Sequence, residues 1–291
     1  MNSDLSLFPD RAALGPEIWG ARGRSAAHRL LAGAGEAVVV AYREDPTLTL
    51  CAVAHGFTAD GALLIATTED ELHEALDGDE ARTMDVRLSV EKEAPDPSVQ
   101  IIAAAVHCLA EAEWLTAAEV AELLVTGGLP GRVAEVAAAP GGRVARLSTT
   151  RVLLHDSGGV WPISYEEILE QHEQATWEID SDADLFTSPI GELMAVDVLA
   201  AYGAAHMTGL FDALMRQAVP GALLSRQAVE TECMPVETML LCLDVDRTGL
   251  TLMRVDGGQA VTAFIAFEQP AVSALQLALE LSFLFERAGG A

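Results

Sequence analysis

The sequence has almost no lysine and a large excess of acidic side chains. Among 291 residues, 44 are Asp or Glu and 17 are Lys or Arg, so the formal net charge at pH 7 is −27. Lys92 is the only lysine. A surface of this sign repels the phosphates of nucleic acids and the head groups of anionic lipids. We therefore expect neither a nucleic acid nor a membrane among the partners of this protein.

Long apolar runs and paired cysteines are also lacking. No uninterrupted apolar stretch reaches the ~18 residues of a membrane helix, although 51% of the residues are hydrophobic and can form a sizeable core. The first 20 residues contain Asp4, Asp10 and Glu17 without an apolar segment, which is atypical of a secretory signal. The four cysteines include no CxxC pair, which disfavours a structural zinc site and suits reduced thiols. These features predict a cytoplasmic protein.

Standard catalytic motifs are missing as well. The chain has no GxGxxG that opens a helix after a strand, no P-loop, no GxSxG and no HExxH. Its seven histidines are scattered, without the tight spacing of zinc ligands. A nucleotide-binding domain of these types, a serine hydrolase of the elbow type and a dedicated zinc enzyme are therefore disfavoured. Any functional inference has to come from the organisation of the chain.

The first half of the chain reads as a small antiparallel barrel. Residues 1–25 contain several Pro and Gly and predict a flexible N-terminal arm. Residues 26–176 then form short strand-like runs separated by turn signals, with a few short helices. Within them, Met84–Val90 alternates apolar residues with Asp85, Arg87 and Ser89, which predicts a strand with one buried and one exposed face.

The second half has a different pattern. Residues 177–190 are rich in acidic residues and predict a linker. Residues 191–291 begin with a helical apolar period, continue as three strands joined by tight turns, and end in a long apolar helix. The sequence therefore predicts an α+β protein: an antiparallel split β-barrel followed by a smaller module of helix, three-stranded meander and helix.

Segments of both halves resemble one known superfamily. In the first half they are HRLLAGAGEAVVVAY (28–42), TLCAVAHGFTADGALLIAT (49–67) and MDVRLSVEKEAP (84–95). In the second half they are AAYGAAHMTGLFDALM (200–215), LLCLDVDRTGLTLMRV (240–255) and AFIAFEQPAVSALQLALELSFLF (263–285). They resemble the pyridoxamine-phosphate-oxidase-like, or FMN-binding, split β-barrel superfamily with a fused C-terminal α+β module. The arrangement is similar to that of split-barrel heme oxygenases and heme-utilization proteins.

The resemblance implies a homodimer formed through the barrel, with heme or a related tetrapyrrole as the ligand. FMN is less favoured as a cofactor, because its phosphate needs cationic partners. The runs Val38–Tyr42 and Leu48–Ala54 contain no Arg or Lys. Heme needs an apolar wall and an axial ligand, most often His. We therefore expect the chain to enclose an apolar slot that is poor in positive charge.

Three histidines on predicted strands or helices are candidates for holding this ligand. The resemblance places His206 where the family module carries a His, and it is the candidate ligand of the heme iron. His55 precedes Gly56 at a strand end, where the glycine allows a flat ligand to approach closely. His107 follows the small side chains of a strand. For each, a structural role in the core or in a turn is the alternative interpretation.

Two further residues complete the set of candidates. His28 begins the first predicted helix, and Arg87 lies on the polar side of its strand, where it could pair with a heme propionate. The function predicted from the resemblance is heme trafficking, storage or oxidative degradation, with the choice among the three left open. The first alternative is a flavin- or F420-dependent oxidoreductase on the same barrel. The second is a regulatory interaction protein without a cofactor.

Overall fold

The chain folds into two sheet-based units. The computed structural model describes residues 14–44, 46–68, 82–96, 99–178, 185–186, 189–228 and 238–289. The helices are α1 (Pro16–Leu31), α2 (Ala117–Thr126), α3 (Gly131–Ala138), α4 (Tyr165–Glu178), α5 (Pro189–Met215) and α6 (Ala274–Gly289). The strands are β1 (Glu36–Ala41), β2 (Leu48–Phe57), β3 (Leu63–Thr67), β4 (Arg82–Glu93), β5 (Ile102–Trp114), β6 (Arg143–Ser148), β7 (Arg151–Asp156), β8 (Gly159–Ser164), β9 (Gly221–Ala228), β10 (Met239–Asp246), β11 (Gly249–Asp256) and β12 (Gln259–Ala266).

Six antiparallel strands close the barrel in the order β4-β1-β2-β3-β6-β5, since β4 also pairs with β5. β5 is the longest strand, and its outer edge is shared between two partners. Its C-terminal part, from Glu111 to Trp114, pairs with β6, whereas Ala104 to His107 pair with β7. β7 and β8 therefore extend the sheet beyond the barrel wall. This topology confirms the predicted α+β fold with an antiparallel split barrel.

The interior of the barrel is filled with apolar side chains. β4 alternates as predicted: its apolar residues are buried, while Arg87 is exposed and Asp85 and Ser89 are half-buried. Equivalent residues of the other strands complete one core, among them Val39, Leu50, Ile65, Val106 and Leu154. In the part of the chain that the structure describes, the expected apolar slot therefore does not lie inside the barrel. A ligand of the barrel has to bind to its outer surface.

The second unit is a four-stranded antiparallel sheet, in the order β10-β11-β12-β9, packed against α5 and α6. The predicted meander corresponds to β10, β11 and β12. A fourth strand that was not predicted, β9, pairs with β12 at the edge of the sheet. The first predicted helix of this unit is α5, which loses helical geometry at Gly203, where φ is 78°.

α1 corrects the prediction of a flexible arm over residues 1–25. The helix begins at Pro16, and its first half packs between the two units. The Trp19 ring stacks on Trp161 of β8 at 6.2 Å and meets Phe264 of β12 at 5.8 Å. Arg22 forms an ion pair with Asp156. Residues 1–13 of the predicted arm, and 179–184 and 187–188 of the predicted linker 177–190, lie outside the described residues.

α5 is long and apolar enough over Gly191–Met215 to cross a membrane, judged by length and composition alone. The mean hydropathy over its most apolar 18 residues is 1.3, and 17% of these residues are buried. The sequence has no uninterrupted apolar run here, because Glu192, Asp197 and Asp212 interrupt it. One helix that meets this criterion is weak evidence for a membrane span, and α5 packs against α6. That the protein has no membrane partner stays a prediction.

Candidate functional site

The outer surface of the barrel presents a regular array of side chains from β1, β4, β5 and β7. In antiparallel sheets, residues that pair directly across strands lie on the same face. Val38 pairs with Ser89, Ser89 with His107, and His107 with Leu153. These four residues form a row across four strands, which we call the middle row. Each of them is half-buried or exposed.

Two further rows run parallel to the middle row. The acidic row begins at one edge with two carboxylates and contains Glu36, Glu91, Ala105, His155 and Val160, each paired with the next. The basic row lies on the opposite side of the middle row and contains Val40, Arg87, Leu109 and Arg151. Together the three rows form what we call the outer barrel face.

Large apolar side chains on this face are open to solvent. Leu109 is 64% exposed, Val160 56% and Leu153 36%. Ile102, at the start of β5, is 55% exposed and lines a cleft of about 660 Å³ together with Val38 and Ser89. Cofactor pockets typically have volumes of roughly 300–1,000 Å³. The cleft lies at the end of the face where the acidic row begins, and the exposed apolar area of Leu109, Leu153 and Val160 lies beside it, outside its lining.

His107 lies in the centre of the face with one ring nitrogen engaged. Its Nδ1 is 3.0 Å from the hydroxyl oxygen of Ser89. When Nδ1–H donates to that oxygen, Nε2 carries the lone pair that a metal ion needs. The ring also meets His155 edge to face, with ring centroids 4.9 Å apart. Burial, followed by the charge of His155, lowers the pKa of His107, so the neutral, metal-binding form prevails at pH 7.

Arg87 lies on the same face as His107. Arg87 pairs directly with Leu109, and Ser89, two residues further along β4, pairs with His107. Arg87 therefore lies diagonally across from His107, and the backbones of these two residues are about 7–8 Å apart. The charge of Arg87 also contributes to lowering the pKa of His107. The structure therefore brings together two of the five residues predicted from the sequence.

His155 and Arg151, which were not among the predicted site residues, share this face. Both lie on β7, where Arg151, Leu153 and His155 alternate with the buried Val152 and Leu154. This period of two indicates a strand with one exposed face. The same alternation that identified the outward side of β4 could have identified these residues.

His28 lies in a different place, on the side of α1 that faces α4 and β2. Its Nε2 is 3.2 Å from Nδ1 of His172, whose Nε2–H donates to the Thr58 carbonyl at 3.0 Å. The His28 ring stacks on Phe57 with centroids 5.6 Å apart. Burial, with a contribution from the charge of His172, lowers the pKa of His28 to about 3. His28 is thus a neutral, packed core residue.

His55 is also buried, at the C-terminal end of β2. Its Nε2–H donates to the carbonyl oxygen of Leu30 in α1, at 2.7 Å. Burial lowers the pKa of His55, so its ring is neutral at pH 7. The neighbouring Gly56 lies against Pro130, which covers it from the outside. The backbone and a proline side chain therefore occupy the space that the sequence analysis assigned to a flat ligand.

His206 lies on the second unit, on the exposed side of α5. Its Nδ1–H donates to the Tyr202 carbonyl one helical turn earlier, at 2.7 Å. The ring rests against Phe285 of α6, with centroids 5.1 Å apart. In this tautomer Nε2 carries a lone pair. His206 and the outer barrel face therefore belong to different units of the chain.

Comparison with known proteins gives structural neighbours only, since no family model and no curated protein matches the chain. A heme binding protein from Mycobacterium smegmatis is 16% identical, with a TM-score of 0.49, over 92% of this chain and 98% of its own. A protein of unknown function from Agrobacterium tumefaciens is 14% identical, with a TM-score of 0.35, over 93% and 98%. The FAD and heme binding protein from Mycobacterium smegmatis is 18% identical, with a TM-score of 0.31, over 51% and 77%. The structural neighbours of this chain thus include proteins named for heme binding.

Proposed function

We propose that the protein binds heme, or a related tetrapyrrole, against the outer barrel face, with His107 as the ligand of the iron. The observation that carries this proposal is the position of His107: a neutral imidazole, with Ser89 at its Nδ1, in the middle of an exposed apolar surface. An imidazole in this state is the commonest axial ligand of heme.

The surroundings of His107 suit a flat apolar ring system. Leu109, Leu153 and Val160 expose apolar area that a macrocycle would remove from water. Ser89 fixes the orientation of the His107 ring, which keeps Nε2 directed toward the ligand. Bound heme would supply redox and oxygen chemistry. The residues of this face bind and orient it, for trafficking, storage or oxidative degradation.

Titration of the purified full-length chain with hemin tests the proposal. We expect a sharp Soret band that saturates at one heme per chain. His107→Ala should weaken hemin binding about tenfold or more, equivalent to about 1.4 kcal/mol, because the iron loses its protein ligand. The measurement is the dissociation constant from the absorbance titration, with far-UV circular dichroism as a check on folding.

His206→Ala is the matched control, since it removes an exposed His from the other unit. We expect it to bind hemin like the wild type. If His206→Ala loses the Soret band and His107→Ala binds hemin like the wild type, His107 is not the ligand of the iron. That result would support His206, the ligand predicted from the resemblance. Flavin absorbance in the protein as purified would contradict heme in favour of an oxidoreductase. The absence of both signals would favour an interaction protein without a cofactor.

We also propose that the protein is a cytoplasmic homodimer, as the resemblance implies. Light scattering on the purified protein should give twice the chain mass of 30.7 kDa. A mass of 30.7 kDa at micromolar concentration would contradict the dimer and leave the heme proposal standing.

A further inference from the structure

We infer that the outer barrel face selects ligands with carboxylates along one edge, and that Arg87 and Arg151 bind these carboxylates. The inference rests on the proposed function, because it concerns the orientation and the chemical class of the ligand bound there. It adds Arg151, a residue that the sequence analysis did not select, and it assigns a role to the distribution of charge over the face.

The strand register places the two arginines on either side of Leu109. Arg87 of β4 pairs directly with Leu109 of β5. On the other side, the hydroxyl of Thr149 is 2.8 Å from the Leu109 carbonyl oxygen and 3.3 Å from that of Arg151. With strands about 4.8 Å apart, the backbones of Arg87 and Arg151 are separated by about 10 Å. Both side chains are exposed.

Neither arginine is engaged by a carboxylate among the described residues, whereas nearby arginines are. Arg43 forms an ion pair with Asp85 at 2.6 Å, and Arg82 forms one with Glu44 at 2.8 Å. Guanidinium groups bind carboxylates through paired, charge-assisted hydrogen bonds. Arg87 and Arg151 are therefore available to a ligand. On the far side of the basic row, Asp85 of β4 pairs with Glu111 of β5, so these two carboxylates bound the positive region.

The opposite edge of the face has the opposite sign. Glu36 and Glu91 pair with each other in the acidic row, and both line the cleft together with Glu93. Lys92 lines it too, but its ammonium forms ion pairs with Glu192 and Asp244. The acidic and basic rows are about 13 Å apart, with His107 between them. Carboxylates of a ligand are repelled at the first edge and attracted at the second. A tetrapyrrole with its acid groups on one edge is therefore accepted in one orientation.

Esterification of the ligand tests this inference separately from heme binding itself. We would titrate the wild type with hemin and with hemin dimethyl ester, in which both propionates are neutral. The wild type should bind the diacid at least about tenfold more tightly, equivalent to about 1.4 kcal/mol. The double variant Arg87→Gln/Arg151→Gln should bind the two ligands equally. Its Soret position should match that of the wild type, because His107 still binds the iron.

Arg43→Gln is the control, because Arg43 is exposed but already paired with Asp85. It should keep the wild-type preference for the diacid. If the wild type binds both ligands equally, with a Soret band that His107→Ala removes, the selection by arginine is wrong and the proposed function stands. If the double variant keeps the preference, Arg87 and Arg151 do not hold the carboxylates. If neither ligand gives a Soret band, the proposed function fails and this inference fails with it.

Discussion

Replacing Arg29 by Met should lower the free energy of unfolding by about 3–5 kcal/mol, the cost of breaking a buried ion pair from one side. Arg29 lies in α1, and its side chain is 3% exposed. Its guanidinium bonds Glu192 of α5 at 2.9 Å and Asp244 of β10 at 2.6 Å, and Asp246 lies at 3.7 Å. The substitution would leave Glu192 and Asp244 with Lys92 as their cationic partner, whereas Asp246 would keep its hydrogen bonds from Thr248.

The same cluster connects the barrel to the second unit. The Lys92 ammonium on β4 contacts Glu192 at 2.6 Å and Asp244 at 3.0 Å. Burial alone would raise the pKa of Asp244, but the charges of Arg29 and Lys92 hold it well below its usual range. This group therefore adds stability above the pKa of its unfolded state, and the stability is lost as the pH falls toward the folded value. The difference in the free energy of unfolding between the wild type and Arg29→Met should therefore become smaller as the pH falls.

Urea unfolding at pH 7 and at pH 3, below the ordinary Asp pKa of 3.8, measures both effects. Arg24→Met is the matched control on the same helix, because Arg24 is more exposed and its distance to Glu167 is 3.9 Å. Exposed pairs of this kind contribute about 0–1 kcal/mol, so we expect a small change. Equal stabilities of the Arg29 and Arg24 variants at pH 7 would show that the buried cluster does not hold the two units together.

Acidification should destabilise the protein through His28, by about 1.4 kcal/mol per pH unit between about pH 6.5 and pH 3. The folded pKa of His28 is lowered from 6.5 to about 3, mainly by burial, with smaller contributions from the charges of His172, Arg247 and Arg29. In this range the unfolded state binds a proton that the folded state does not. Stability therefore falls as the pH falls, by about 4–5 kcal/mol in total.

His28→Leu isolates this contribution, because other buried groups such as His55 titrate identically in both proteins. At pH 7 we expect this substitution to lower the free energy of unfolding by about 1–3 kcal/mol, because Nδ1 of His172 loses its buried partner. The difference between wild type and variant, measured by urea unfolding at pH 7, 6, 5 and 4, should shrink and then change sign. Parallel stability curves would contradict the assignment of the neutral core ring.

The elements predicted correctly from the sequence are those with a strong local period. The alternation in Met84–Val90 and the turn at Asp246–Gly249 specify β4 and the β10–β11 hairpin without reference to distant residues. α1 was missed over residues 16–25, because Gly20 and Gly23 weaken the helical signal. Tertiary contacts of Trp19 and Arg22 compensate for that weakness.

The candidate site depends on contacts that are distant in sequence. Arg87 and His107 become neighbours because β4 and β5 pair in one particular register, and a slip of one residue would turn one of them inward. The sequence predicts that each residue lies on the outward face of its strand, but it does not reveal that the two residues are neighbours. The apolar slot was expected inside the molecule, whereas close packing of the strand residues leaves the outer barrel face as the site.

A crystal structure of the protein with hemin tests the central claim most directly. We predict the macrocycle against Leu109 and Leu153, with the iron bonded to Nε2 of His107 and the propionates toward Arg87 and Arg151. Iron bonded to His206, or a macrocycle bound away from β4, β5 and β7, would contradict the claim that this face of the barrel is the heme site.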